Sequence, residues 1–258
     1  AGFPDRVAGM TINRFCSSGV QAVALAADRI RLGEADIMIA AGTESMSMVP
    51  MGGNKPSFNP AIFEKDESIA IAYGMGITAE KVAAQWKVSR EAQDLYAADS
   101  HRRAVHAIDS GEFRDEVTPY DIVERVPDLE AGEIRVVKRE AVNDEGPRRD
   151  TSPEALARLK PAFSAKGSVT AGNSSQMSDG AGAVVLMSEA AVKRYNLAPL
   201  GRFITYAVAG VPADIMGIGP IKAIPKALAL AGLKQDDMDW IELNEAFAAQ
   251  TLAVIQEL

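Results

Sequence analysis

Cysteine occurs once in this chain, at position 16, inside the stretch INRFCSSGVQAV. A single thiol excludes an internal disulfide framework and any multi-cysteine metal site, which leaves a nucleophile or a small buried hydrophobe. Position suits the first without excluding the second, and on position alone both stay open. Cys16 lies between AGMTIN, which reads as a short strand, and a run from Ser17 to Leu32 with Val20, Val23, Ala24, Ala27 and Ile30 at helical spacing. Open α/β sheets bind ligands at such strand-to-helix junctions, and the free N–H groups and macrodipole of a helix start favour a thiolate. Gly19 would let a substrate approach closely. Further on, the strand-like run MDWIEL leads directly into NEAFAAQTLAVIQEL, where Asn244 stands in position to cap the next helix. The two histidines, His101 and His106, stand five apart on a charged helix and share no face, so they read as surface residues.

The elements around these residues follow an α/β pattern. Gly33 stops the first helix, and ADIMIAAG is a continuous apolar run of strand length, giving a predicted βαβ unit with a doubly buried strand. From Thr43 to about Gly76 the chain turns to Gly, Pro, Met and Asn, with MGGNKPSFNP as a clear loop. One helical stretch is expected from Thr78 to Ser110, ended by Gly111, followed by short strands in DEVTPYDIVERVPDLEAGEIRVVKRE. The rhythm returns at AGAVVLMSEAAVKRY, a strand running into a helix capped by Ser188. GRFITYAVAGV reads as a strand, IPKALALAGL as a helix ending near Gly232, and MDWIEL as a strand leading into a last helix.

Composition narrows the function classes. The 258 residues are 47% hydrophobic with a net charge of −8, which describes a folded globular protein. No cluster of basic residues suggests nucleic acid or an anionic membrane surface as partner. No apolar run approaches a membrane span, and a reducing, cytoplasmic compartment suits the lone thiol. The chain opens on AGFPDRVAGM and closes on TLAVIQEL within an amphipathic pattern, as an internal portion of something longer would.

NRFCSSGVQAV resembles the nucleophile motif of the thiolases, and ELNEAFAAQ resembles their second signature. GMGITAEKVA, KPAF, GSVTAGNSSQMSDGAGAVVLMSEAA and MGIGPIKAIPKAL also look like thiolase segments, in the family's order and near its spacing. The resemblance covers practically the whole chain. It implies a layered α/β thiolase fold with a long irregular insertion, incomplete at both ends. The expected parts are an amino-terminal thiolase half at 1–45 and 176–190, a loop domain at 46–175, and the start of a carboxyl-terminal half at 191–258.

The chemistry the resemblance implies is acyl transfer in two steps, as in fatty-acid β-oxidation: CoA-dependent cleavage of a 3-ketoacyl-CoA through an acyl-cysteine at Cys16, or the reverse condensation. Asn244 matches the asparagine that holds a water in an oxyanion hole. Arg148 and Arg149 offer the charge and planar face that suit CoA phosphates or adenine, though a solvated loop pair reads equally well. Ala171, Gly172 and Ser175 resemble the small residues along the pantetheine arm. Met75, Phe163, Met216 and Phe247 match apolar positions around the thioester, where each would also serve as core. CoA enters as substrate, with no permanently bound cofactor and no metal expected, and the expected assembly is a homodimer or homotetramer.

Two departures refine this. Acetoacetyl-specific biosynthetic thiolases tend to carry a histidine where this chain has Gly74, and CGSG where it has CSSG; both favour the broader 3-ketoacyl-CoA thiolases. The family's GHP and CxG segments, with the base and the second cysteine, are not among these residues and are expected beyond Leu258. On that expectation the 258 residues alone would show little thiolysis. The alternative reading is a thiolase-like chain that binds CoA or associates without turnover. A cysteine peptidase is disfavoured, because it needs a histidine near the thiol.

Overall fold

A computed structural model of the chain describes residues 2–258. Two compact units form. One gathers the residues up to Ala72 with Met177–Glu242 and Leu258; the other gathers Tyr73–Gln176 with Leu243–Glu257.

In the first unit, helix α1 (Ser18–Arg31) runs into strand β1 (Ile37–Glu44) through Gly33, whose φ of +75° suits glycine. Strand β4 (Gly180–Met187) leads into α5 (Glu189–Tyr195), and Ser188 caps that helix by accepting the Ala191 N–H. Helix α6 (Gly219–Ala231) ends at Gly232 in the left-handed conformation.

Pairing departs from the sequence expectation. β1 lies antiparallel to β4, with Ile37 opposite Met187 and Glu44 opposite Gly180, and these two strands form the whole sheet of this unit among the described residues. No parallel βαβ crossover is present there, and AGMTIN forms no strand. Just beyond it the backbone turns on local side chains: Phe15 N–H donates to Asn13 Oδ1 and Arg14 N–H to Ser18 Oγ, which diverts donors from any ladder. Nor is β1 doubly buried; Ala40 alone is fully covered, because a two-stranded ribbon packed on α1 leaves most of its positions open. GRFITYAVAGV is likewise no strand. Its Phe203 and Ile204 carbonyls accept the Arg31 guanidinium, and Tyr206 Oη donates to Gln21, so side chains of α1 take the place of a strand partner. MDWIEL also joins no ladder.

In the second unit, the expected single helix at 78–110 is two. α2 (Met75–Gln85) ends at Trp86, Lys87 follows at φ +55°, and α3 (Arg90–Ser110) begins after Ser89, whose hydroxyl accepts the Ala92 N–H. Gly111 ends α3 in the left-handed conformation, as its position predicts. Strands β2 (Tyr120–Asp128) and β3 (Glu133–Ala141) form an antiparallel hairpin. A short helix α4 (Pro153–Ala157) and the final α7 (Ala248–Glu257) complete the unit. Its core joins Ala79 and Ala83 of α2, Val169 and Ala249, with Phe247 packed against them. Glu80 binds the loop to this core, accepting the N–H groups of Ser168 and Val169. Asn173 ties the same loop to α3 through its amide on Asp94, which pairs in turn with Arg90.

Candidate functional site

Cys16 is exposed, two residues before the first turn of α1. The backbone reaches it through a tight turn in which Phe15 takes φ +46°, a left-handed conformation that is costly for a bulky residue. Surrounding bonds hold that turn: Asn13 Oδ1 accepts the Phe15 N–H, Ser18 donates back to the Phe15 carbonyl, and Ser17 donates to the Arg14 carbonyl. Arg14 is fixed by its Nε on Gln21 of α1. The sequence therefore spends strain and several polar side chains on presenting one sulfur at a helix start, where the Ser17 and Ser18 N–H groups are themselves taken by the Arg14 and Phe15 carbonyls. Met216, the other predicted residue of this unit, sits half open in a helical turn at Ala213–Ile218.

The other predicted residues belong to the second unit, and most of them converge. Met75 opens α2, and the next residue, Gly76, lies under the Phe163 ring; a Cβ there would fall inside it. Phe163 meets Phe247 edge to face, with centroids 6.0 Å apart. Phe247 pairs with Ser174 in an isolated antiparallel bridge, and Ser175 N–H donates to the Ala246 carbonyl at 3.0 Å. The small-residue segment with Ala171 and Ser175 thus runs beside the signature that carries Asn244. Gly172 owes its lack of a side chain to packing, since a Cβ would press on Leu156 and Leu159.

Asn244 is exposed. It is not a helix cap: α7 opens at Ala248, with Thr251 N–H donating to the Phe247 carbonyl. The amide is therefore free for a ligand role. Sequence reading passed over its neighbour Glu245, whose carboxylate accepts from Tyr96 Oη at 2.5 Å and Ser100 Oγ at 2.6 Å, both on α3. Burial, reinforced by this bond, pushes the Tyr96 phenol well above its usual range, so it stays a donor. Tyr96 and Ser100 stand one turn apart on one helix face, a spacing the sequence offers, but nothing local names a partner 145 residues on.

Arg148 lies elsewhere in the unit. It lines an open cavity of about 440 Å³ with Asp99, His101, Arg102, Arg149 and Pro153 among its walls. Arg149 is held bidentately by Asp109, at 2.7 and 2.6 Å, whereas Arg148 reaches Asp150 only at 3.6 Å and keeps most of its guanidinium open. His101 is half-buried, a correction to its reading as a plain surface residue. Its Nδ1 accepts the Arg148 N–H, and burial first, then the Arg148 charge, holds its pKa below 6.5. No group of three or more potential metal ligands occurs among the described residues.

The profile of the N-terminal domain of thiolase matches residues 1–190, and that of the C-terminal domain matches residues 197–258. The chain is 48% identical over 261 aligned residues to the 3-ketoacyl-CoA thiolase of Bacillus subtilis, covering 100% of this chain and 65% of the relative. It is 44% identical to an acetyl-CoA acetyltransferase of Pseudomonas aeruginosa, over 100% of this chain and 66% of that protein. The crystal structure of the dimeric peroxisomal thiolase of Saccharomyces cerevisiae superposes with a TM-score of 0.83 at 41% identity, over 96% of this chain and 60% of the other. Human mitochondrial 3-ketoacyl-CoA thiolase gives 0.84 at 39% identity, over 100% and 65%. The chain thus spans a little under two thirds of the length of these relatives.

Proposed function

Because the chain belongs to the thiolase family, we propose that the protein carrying it is an acetyl-CoA C-acyltransferase that cleaves 3-ketoacyl-CoA with CoA through an acyl group on Cys16. Its sulfur bonds to C3 of the substrate, the C2–C3 bond breaks, and the electron pair leaves as the enolate of acetyl-CoA, which takes up a proton. The thiol of free CoA then attacks the acyl-cysteine, and its proton returns to Cys16. A covalent thioester turns one hard carbon–carbon cleavage into two easier steps. Each tetrahedral intermediate needs donors where its oxyanion forms. The Cys16 N–H and a water on the Asn244 amide are assigned to this task. Arg148 is assigned to CoA phosphate or adenine, the Ala171–Ser175 segment to the pantetheine arm, and Met75, Phe163, Met216 and Phe247 to the apolar surroundings of the thioester.

The observation that carries this reading is the exposed Cys16 behind a left-handed Phe15, a costly turn whose product is one accessible sulfur. Names borne by the relatives support the substrate class. CoA is substrate here, and the protein acts as a dimer or tetramer, in line with the dimeric yeast structure. No helix among the described residues is long and apolar enough to cross a membrane, and the bacterial relatives favour a cytoplasmic site of action. In the full-length protein, acetyl-CoA should add one acetyl group that peptide mass spectrometry places on Cys16 and that Cys16→Ala abolishes. Acetyl on another residue, or turnover by Cys16→Ala, overturns the assignment.

A further inference from the structure

The geometry points to Glu245 as the positioning residue of Asn244, held through a two-point clamp by Tyr96 and Ser100 of α3; this rests on the oxyanion role proposed for Asn244. Asn244 needs such support. It is exposed and precedes α7, so no helical ladder fixes its backbone. Among the described residues, the bonds that tie it to the rest of the unit, those of Glu245, Ala246 and Phe247, follow it directly. Tyr96 Oη donates to Glu245 Oε1 and Ser100 Oγ to Oε2, so both carboxylate oxygens are engaged and the side chain cannot swing. The next carbonyl, of Ala246, accepts the Ser175 N–H, and Phe247 is bridged to Ser174.

These contacts divide the labour. Ala246 and Phe247 tie the segment to the loop carrying Ala171 and Ser175, whereas Glu245 ties it by hydrogen bonds to α3, against which α7 also packs. With the chain held from Ala246 onward, any rotation about the Glu245 backbone carries Asn244 with it, because the two residues adjoin directly. Burial keeps the Tyr96 hydroxyl protonated, so this donor persists across the working pH range. A misplacement of about 1 Å in a catalytic group costs on the order of 100-fold in rate.

The test is a double-mutant cycle in the full-length protein, with thiolysis of a 3-ketoacyl-CoA as readout. Glu245→Ala should lower kcat by about 10- to 100-fold with KM for the acyl-CoA nearly unchanged. Glu245→Gln, which keeps one acceptor oxygen and the shape, should recover most of the loss, and Tyr96→Phe should show a smaller fall. In an Asn244→Ala background, Glu245→Ala should cost nothing further, because the group it positions is gone. An equal fall in both backgrounds, or a rise in KM alone, overturns the positioning role while Asn244 keeps its own. If Asn244→Ala by itself leaves kcat unchanged, the oxyanion reading fails and the inference falls with it. Tyr96→Phe and Glu245→Gln keep packing intact, so the cycle stays readable if Glu245→Ala does not fold.

Discussion

At residue scale, the two groups assigned chemistry were singled out in different ways: Cys16 is the lone thiol at the edge of a helix, and Asn244 stands in a segment that resembles a thiolase signature. What holds them was not legible, because it depends on backbone conformation and distant contact. Phe15 at φ +46° has no sequence signal, since bulky residues avoid that region. The ring over Gly76 comes from Phe163, far along the chain. His101 shows the same limit, reading as surface until the Arg148 N–H reaches its Nδ1. That bond requires the neutral ring, and the folded pKa is depressed from 6.5. A base depressed on folding binds fewer protons than in the unfolded chain, so its contribution is fully present above about 6.5 and is lost as pH falls through the lowered value. NMR titration should give His101 a midpoint below 6.5, with the loop around Arg148 loosening in acid. A midpoint at or above 6.5 would show that the bond does not hold in solution.

At element scale, helix ends were readable wherever a residue type does one job: Gly33, Gly111 and Gly232 stop helices, and Ser188 starts one. The break between α2 and α3 was missed because its left-handed residue is Lys87, where a glycine would have marked the stop. Its true signal was Ser89, which caps α3 with Glu91 in the first turn. Strands were harder, since a strand exists only when paired. GRFITYAVAGV has the composition of one, yet its carbonyls at Phe203 and Ile204 are taken by Arg31. The α2–α3 break makes a paired prediction. Lys87→Gly relieves a left-handed lysine and should leave stability unchanged or raise it by up to ~1 kcal/mol, whereas Ser89→Ala removes a cap and should cost ~1 kcal/mol. Urea unfolding of both variants checks this. Destabilisation by Lys87→Gly as large as that by Ser89→Ala would mean that the break is not formed as described.

At the scale of the whole molecule, the α/β class and the family were within reach of the sequence because they rest on many motifs in order, whereas the grouping of residues was not. The chain folds as two compact units, and Leu243–Glu257 joins the second unit rather than the one that its sequence neighbours occupy. Periodicity describes a segment and does not say with which distant segment it packs. Association is a further property of the whole. The loop after β1 exposes Met48, Met51 and Phe58, while Ser47 anchors its base by donating N–H and hydroxyl to Asp179. A loop anchored at Ser47 that exposes these large apolar side chains fits a contact surface better than a freely solvated turn, because exposed apolar surface marks association sites. Light scattering of the full-length protein at micromolar concentration should therefore give at least twice the protomer mass. If the loop joins dimers into tetramers, Met48→Glu with Met51→Glu should halve a tetrameric mass and leave thiolysis intact, because buried like charges oppose the contact without touching Cys16. A dimer unaffected by these changes would place the interface elsewhere, and a monomer at that concentration would sink the proposed assembly altogether.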